Sequence, residues 1–286
     1  MVGHQGHAIA ALGIATAAGA MLVVGGRAIE RRVNTLPWMR MSSINLVAMR
    51  GIPRVWLVAH LDSKSQPVAM LARIVGIIIG SMTLFVIAAA GLVAARGVFV
   101  PPMLWTLLGV LAVFASLPVI ASVVGDKSPG ALDNGSGVVA VLLAAEMLPR
   151  EMPIGVLLTS AEELGMAGAR AFAATHAAAM AINVDGVDDR GATICMRHGR
   201  AARVRVGLSR AARAIGMRVD ERRTIPGLLT DGVVLAESGW SAVTLSRGGL
   251  RTLWRIHRAA DSASRITGRG IHEMARLVAS AAREIA

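Results

Sequence analysis

The chain has 286 residues, of which 54% are hydrophobic and 17% charged, and its formal net charge at pH 7 is +12. Its mean hydropathy of +0.59 is too high for an ordinary soluble protein, so part of it is expected to lie in a membrane. Basic residues are scattered and aromatic residues make up only 3%, which argues against nucleic-acid binding. The single cysteine, Cys195, excludes an internal disulfide, so any metal would be held by histidines and carboxylates.

Three apolar stretches are long enough to cross a bilayer. Residues 8–26 are interpreted as a retained helix, since no basic residue precedes them; a cleaved signal peptide is the alternative. Residues 71–95 and 103–124 carry no charge after Ile74, and their short connector favours a membrane hairpin over two buried helices of a soluble core. The predicted organisation is an N-terminal helix (1–26), the first part of a soluble domain (27–66), a hairpin insertion (67–125) and the main part of that domain (126–286).

The soluble segments alternate short apolar strands with amphipathic helices. This pattern predicts an α/β fold, with a mainly parallel sheet covered by helices on both faces. Ser136 is expected to cap a helix that begins at Gly137, and residues 27–48 to form helix and then loop. Strands are predicted at residues 53–59, 154–159, 181–184, 204–208 and 242–245, and helices at 137–148, 165–180, 209–215 and 266–285.

Polar side chains follow several of the predicted strands. His60 and Asp62 are two residues apart at a strand end, so the carboxylate can hold the far ring nitrogen of a metal-bound imidazole. Glu162 and Glu163 follow a second strand and Asp185 a third, at the carboxyl ends where open α/β sheets place their sites. The structural alternative is that the two glutamates only decorate the start of the helix predicted at 165–180, where the helix dipole favours acids, and the same kind of alternative applies to Asp185.

Two further fragments complete the set. Asp133 lies in the glycine-rich loop 130–137, which taken alone is an ordinary helix start, and His257 is followed four residues later by Asp261. A lone histidine is more often a surface or core residue than a ligand. On that ground no role is assigned to His4, His7, His176, His198 and His272, and Asp188 and Asp189 are interpreted as solvated turn residues.

Together the five fragments resemble the co-catalytic zinc aminopeptidases of metallopeptidase family twenty-eight, a family that also includes glutamate carboxypeptidases and glutaminyl cyclases. The resemblance covers residues 45–62 and 129–286, with the hairpin as an insertion. It implies a zinc exopeptidase-like fold and two zinc ions, with manganese and cobalt as alternatives. His60, Asp133 and Asp185 would hold one ion, and Asp133, Glu163 and His257 the other. Glu162 would be the general base and Asp62 the outer partner of His60.

The implied reaction is hydrolysis of a peptide bond, as in an aminopeptidase, by a metal-bridging hydroxide whose proton Glu162 transfers. Two positions depart from the family pattern. Arg258 stands where threonine or serine often follows the last histidine ligand, and Thr230-Asp231-Gly232 replaces Ser-Asp-His, so a substrate-orienting histidine is missing. The alternatives are an inactive peptidase-like scaffold in a membrane complex, or a zinc amidohydrolase acting on a non-peptide amide.

His60 and Asp133 must meet at one site, and the two spans between them return the chain to the same side of the membrane. Seven arginines before and at the start of the hairpin lie on that side, so the catalytic domain of this integral plasma-membrane protein is predicted to be cytoplasmic. Because the hairpin is inserted between two ligand motifs, we expect the active-site edge to face the lipid bilayer. Its substrates would then be membrane-proximal peptides.

Overall fold

The computed structural model describes Gly13 and residues 42–199, 201–224 and 229–286. The predicted N-terminal span at 8–26 therefore lies outside the described residues, apart from Gly13. By its internal contacts the chain divides into two compact units. The hairpin unit comprises residues 1–40 and 66–123, and the sheet unit comprises residues 41–65 and 124–286.

Two long apolar helices form the described part of the hairpin unit, α1 (Met70–Ala95) and α2 (Pro102–Ile120). Their most apolar 18-residue windows have mean hydropathies of 2.4 and 2.2, and only 11% of each window is buried. The helices approach closely through small residues, since a Cβ at Gly76 would lie 2.6 Å from the carbonyl oxygen of Ala115. Both helices are, by length and composition, long and apolar enough to cross a membrane.

Seven strands of the described chain form the sheet, in the order β1-β3-β2-β4-β7-β5-β6. Neighbours among β3, β2, β4 and β7 are parallel, as are β5 and β6, whereas β1 is antiparallel to β3 and β5 is antiparallel to β7. The predicted mixed, mainly parallel sheet is confirmed. The strands are β1 (Leu46–Met49), β2 (Val55–His60), β3 (Ile154–Thr159), β4 (Met180–Val187), β5 (Ala192–Arg197), β6 (Asp220–Arg223) and β7 (Ser241–Gly248).

Helices cover both faces of the sheet: α3 (Ser136–Glu146), α4 (Ala167–Thr175), α5 (Ala202–Ala214), α6 (Asp231–Glu237), α7 (Leu250–Arg255) and α8 (Arg269–Ile285). On one face, α3, α5 and α8 bury Val55, Leu57 and Ala59 of β2. On the other face, α4 and α6 bury Trp56 and Val58. Alternate residues of β2 point to opposite, equally buried faces, which explains why this central strand is an uninterrupted apolar run.

The strand predicted at 204–208 is wrong, because these residues form part of α5. The alternation Val204-Arg205-Val206 suggested a strand. In the structure Val204 and Leu208 are buried, four residues apart, while Val206 is 44% exposed. The buried side chains thus follow the period of a helix that packs on the sheet.

Other element boundaries also differ from the prediction. The helix predicted at 165–180 ends at Thr175, since His176 has extended backbone and Met180 already begins β4. Strands β1, β5 and β6 are not predicted from the sequence, and β1 lies where helix and loop were expected. β6 reads Asp-Glu-Arg-Arg, so it is a strand because it pairs with β5 and not because of its own propensity.

The parallel strands bring the candidate site residues to one edge of the sheet. His60 is the last residue of β2, Glu162 follows β3 by three residues, and Asp185 lies near the end of β4 at a register irregularity. At the boundary with the hairpin, Ser65 and Gly125 form an antiparallel bridge with N to O distances of 2.7 and 2.8 Å. The chain therefore leaves and re-enters the sheet unit at neighbouring points.

Candidate metal centre

The carboxylate of Asp133 lies between two imidazoles. His60 Nε2 is 3.1 Å from Oδ1 of Asp133, and His257 Nε2 is 2.8 Å from Oδ2. Asp185 Oδ1 is 3.7 Å from His60 Nε2, and Glu163 Oε1 is 3.1 Å from His257 Nε2. The five residues that the resemblance implies as metal ligands, separated by up to 197 positions (257 − 60), thus converge at one place.

Glu162 belongs to the same cluster and is 8% exposed. It lies with its neighbour in the loop between β3 and α4, so the alternative that these acids decorate a helix start does not hold. Burial raises the pKa of the Glu162 carboxyl, and nearby Asp185 adds to the shift while His60 opposes it. A carboxyl whose pKa is raised by burial holds a proton more readily than an ordinary glutamate, which suits a group that must accept a proton and return it.

The cluster contains two sets of three potential ligand atoms, each set lying within 4.8 Å. The sets are His60, Glu162 and Asp185, and Asp133, Glu163 and His257. Glu162 therefore approaches the first set closely enough to be a ligand itself, although the resemblance gives it the role of base. Asp133 belongs to the second set and also contacts the first, since its two oxygens face one histidine each.

The charged side chains of the cluster shift one another's pKa values. Burial alone would lower the pKa of His60, but its contacts with Asp133, Asp185 and Asp62 outweigh burial and raise it. The same balance raises the pKa of His257, through Asp133 and Glu163. Burial would raise the pKa of Asp133, but hydrogen bonds from both histidines hold it well below its usual range. Positive charge is therefore strongly favoured at this point of the structure.

The loop that carries Asp133 is fixed by Asp261, a side chain with no exposed surface. Its carboxylate accepts hydrogen bonds from the backbone N–H groups of Leu132, at 2.6 Å, and of Asp133, at 3.1 Å. The sequence places Asp261 next to the His257 fragment but gives no reason to connect it with the Asp133 loop. Asp261 is thus a positioning residue that only the fold reveals.

Asn134 connects the same loop to β4. Its Oδ1 accepts hydrogen bonds from the N–H groups of Gly137, at 3.1 Å, and Gly186, at 3.0 Å, and its Nδ2 donates to Val184 O at 2.9 Å. The prediction that Ser136 caps this helix is therefore wrong. Ser136 is already helical, and its hydroxyl donates to the carbonyl of Leu132. Asparagine directly after the shared aspartate was the signal available in the sequence.

Asp62 contacts His60, but mainly through its backbone. His60 Nδ1 is 3.0 Å from the carbonyl oxygen of Asp62 and 3.7 Å from the carboxylate. The carboxylate instead accepts hydrogen bonds from the backbone N–H groups of Glu162 and Glu163, both at 3.0 Å. Asp62 therefore links the end of β2 to the loop that carries both glutamates.

Two more charged residues near the site differ from what the sequence suggested. Lys64 Nζ lies 2.5 Å from Glu163 Oε2, a contact that was not predicted although Lys64 stands two residues after Asp62. Asp188 is not a solvated turn residue, since it is 6% exposed and accepts a hydrogen bond from Thr252 Oγ1 at 2.8 Å. It is buried because β4 continues to Val187 and places it beneath α7.

The missing histidine of the Ser-Asp-His pattern has a packing explanation. A Cβ at Gly232 would lie 2.3 Å from Thr244 Oγ1 and 3.0 Å from the ring of His198. His198 is itself buried, with its ring nitrogens 2.6 Å from Thr224 Oγ1 and 2.8 Å from Thr244 Oγ1. No side chain fits at position 232 without moving the Thr244 hydroxyl that is hydrogen-bonded to this histidine.

Neighbouring Asp231 is buried, hydrogen-bonded to Thr159, and burial raises the pKa of its carboxyl to about 7. It lies close enough to the site for its charge to raise the pKa of Glu162. Asp231 thus adds a further acid to the cluster, whereas in the sequence it stands out only as part of a departure from the family pattern.

The donor set suits zinc, which binds imidazole nitrogens and carboxylate oxygens. Glu163 Oε1 is buried and, apart from His257 Nε2 at 3.1 Å, has no polar partner among the described residues, so it is suited to contact a cation. Bound cations would also satisfy the charges of Asp133, Glu163 and Asp185, and each of the two sets of side chains offers three ligand atoms.

The mixed sheet between two helical layers, with histidines and acids at its carboxyl edge, defines an α/β protein with a candidate metal centre. Residues 112–282 match the sequence model of Peptidase family M28, and the chain belongs to this family, as its motifs predicted. The match includes Asp133, Glu162, Glu163, Asp185 and His257. His60 lies upstream of it, beyond most of the inserted hairpin.

Solved structures with a similar fold include BSAP, a zinc aminopeptidase from Bacillus subtilis, at 18% identity and a TM-score of 0.53, covering 83% of this chain and 48% of that one. The aminopeptidase of Aneurinibacillus sp. strain AM-1 has 16% identity and a TM-score of 0.52, with coverages of 84% and 47%. The Legionella pneumophila LapA aminopeptidase has 15% identity and a TM-score of 0.52, covering 85% of this chain and 53% of that one. The chain thus spans about half the length of these proteins, and the likeness shows the fold. No curated protein sequence matches the chain.

Proposed function

We propose that this chain is a membrane-anchored, zinc-dependent metallopeptidase with two metal ions, and within that class an aminopeptidase. The observation that carries the proposal is the position of Asp133, whose two carboxylate oxygens face His60 and His257 separately. A carboxylate placed in this way can bridge two cations. Asp185 beside one histidine and Glu163 beside the other supply a further ligand for each ion. Membership of Peptidase family M28 supports the same reading.

The protein residues divide the chemical work. Bound zinc ions would polarise the scissile carbonyl and make the attacking water more acidic. Glu162 accepts the proton of that water and delivers it to the leaving amine, since it is buried beside the ligands with a raised pKa. Asp62 holds the backbone of Glu162 in place, and Asp261 does the same for the loop of Asp133. No covalent intermediate on the protein is required.

Helices α1 and α2 support membrane anchoring, because they are apolar, uncharged after Ile74 and mostly exposed. With two spans between His60 and Asp133, both parts of the sheet unit lie on one side of the membrane. The arginine-rich flanks favour the cytoplasmic side of the plasma membrane. Reporter fusions after residues 65, 99 and 126 would test this topology, and we expect cytoplasmic, external and cytoplasmic signals respectively.

Zinc analysis and substrate profiling test the function. The full chain, purified in detergent and loaded with zinc, is expected to hold close to two equivalents and to release free amino acids from unblocked peptides. N-blocked peptides should be cleaved poorly. Less than half an equivalent of zinc with no hydrolysis would favour an inactive scaffold instead. Hydrolysis of non-peptide amides alone would indicate an amidohydrolase.

A further inference from the structure

Apart from the two histidines, Lys64 is the only cationic residue of the described sheet unit that forms an ion pair with a proposed metal ligand. Its ammonium nitrogen is 2.5 Å from Oε2 of Glu163. Both partners are shielded, with side-chain exposures of 20% for Lys64 and 7% for Glu163. A contact between opposite charges in such a place is much less screened than one at the surface.

The two oxygens of Glu163 therefore have different environments. Oε2 is engaged by Lys64, whereas Oε1 is buried, lies 3.1 Å from His257 Nε2 and has no hydrogen-bond partner among the described residues. Only Oε1 is available to a cation at the Glu163 and His257 position. Part of the charge of this carboxylate is already balanced by the lysine.

The corresponding carboxylate at the other position has no such balance. Asp185 has the His60 ring nitrogen at 3.7 Å as its ion-pair partner, and no lysine or arginine of the described residues forms an ion pair with it. The positive charge that Lys64 places beside Glu163 therefore has no counterpart at Asp185. A divalent cation beside His60 and Asp185 would meet more uncompensated negative charge than one beside Glu163 and His257.

We propose that Lys64 makes the two metal positions unequal, so that the position at His60 and Asp185 fills first and the position at Glu163 and His257 binds its ion more weakly. This inference rests on the proposed two-ion function. Lys64 acts as a positioning residue that takes one oxygen of Glu163 and places a fixed positive charge near the second ion. It is not needed to orient the Glu163 backbone, because Asp62 already binds that N–H group.

Zinc titration of the full chain in detergent tests the inference. After removal of metal by a chelator, the protein is titrated with zinc against a chromophoric competitor, which yields two dissociation constants. In the unmodified chain we expect the second constant to be at least about tenfold larger than the first. Lys64→Gln and Lys64→Met should lower the second constant by about tenfold and leave the first within about threefold.

Two kinds of control assign the effect. Lys64→Arg keeps the charge and Lys127→Gln removes the only other lysine of the chain, which is exposed, so both should behave like the unmodified protein. In a His257→Ala background only one ion should bind, and adding Lys64→Gln should not change its constant. If both Lys64→Gln and Lys64→Met bound two zinc ions with an unchanged or a larger second dissociation constant, this inference would be overturned and the proposed function would stand. Failure of the unmodified chain to bind zinc would overturn the proposed function and this inference with it.

Discussion

The carboxylate of Asp62 accepts a hydrogen bond from the backbone N–H of Glu162 at 3.0 Å, and so ties the end of β2 to the proposed general base. Its second oxygen does the same for the next residue, Glu163. Its contact with His60 runs mainly through the backbone carbonyl, at 3.0 Å. The side chain of Asp62 therefore positions the two glutamates more directly than it positions the imidazole.

Asp62→Asn should consequently impair turnover while zinc remains bound. The amide NH₂ group of asparagine cannot accept one of the two N–H hydrogen bonds, at a cost of about 1–3 kcal/mol. We expect kcat to fall about 10- to 100-fold as Glu162 shifts, since each factor of ten corresponds to about 1.4 kcal/mol. Measurement of kcat together with zinc content checks this, with exposed Asp126→Asn as control. Loss of zinc with unchanged turnover of the zinc-containing fraction would show that Asp62 acts through His60.

Glu162→Gln tests the general base itself. Glutamine keeps the size of the side chain but cannot take a proton, so activity should fall by about 10²- to 10⁴-fold while two equivalents of zinc remain bound. Glu163→Gln is the matched comparison, because it removes a proposed ligand and should lower zinc content as well. A Glu162→Gln protein that keeps most of its turnover would mean that the base is wrongly assigned.

Asp261→Ala should weaken both the fold and the metal centre. The substitution leaves the buried N–H groups of Leu132 and Asp133 without their acceptor, at a cost of roughly 2–4 kcal/mol of unfolding free energy. Thermal unfolding in detergent would measure the loss, and zinc affinity should fall because the Asp133 loop is no longer fixed. Asp220→Ala on the partly exposed strand β6 serves as control. Unchanged thermal stability would contradict the role given to Asp261.

His198 predicts a pH dependence of stability. Burial lowers the pKa of His198 to about 4, whereas a histidine in the unfolded chain has a pKa of about 6.5. Between pH 6.5 and pH 4 the unfolded chain therefore binds a proton that the folded chain does not, so acid favours unfolding. The resulting loss of unfolding free energy is absent above pH 7 and grows to on the order of 3 kcal/mol at pH 4. His198→Gln cannot titrate, so its thermal stability should fall less between pH 7.5 and pH 5 than that of the unmodified chain. Equal decreases in both proteins would contradict this.

Removal of the hairpin tests whether the sheet unit folds independently. Ser65 and Gly125 are paired by two backbone hydrogen bonds, so a loop of a few residues can replace residues 67–123. A variant that also lacks residues 1–40 should be soluble without detergent and should still bind zinc and cleave free dipeptides. If substrates are membrane-proximal, it should lose activity on membrane-tethered peptides only. Equal activity on both kinds of substrate would reject that substrate class.

The sequence predicts the parts of this fold whose signal is local. Strands β2 and β3 are recognisable because both faces are buried and the runs are uniformly apolar, and α1 and α2 because they are long and uncharged. β6 is not recognisable, because its charged residues are extended only through pairing with β5. The alternating valines of α5 suggest a strand, but the segment is a helix. It buries Val204 and Leu208 against the sheet and leaves Val206 exposed, because residues four apart lie on the same face of a helix.

The amino-acid sequence by itself determined which residue types could act, and their order along the chain identified the family. It could not show how they are held, because hydrogen bonds between distant segments leave no periodic pattern. Only the tertiary structure placed Asp261 against the loop of Asp133, Asp62 against the two glutamates and Lys64 against Glu163. These contacts depend on parallel strands ending at one edge, which brings loops far apart in sequence within hydrogen-bonding distance.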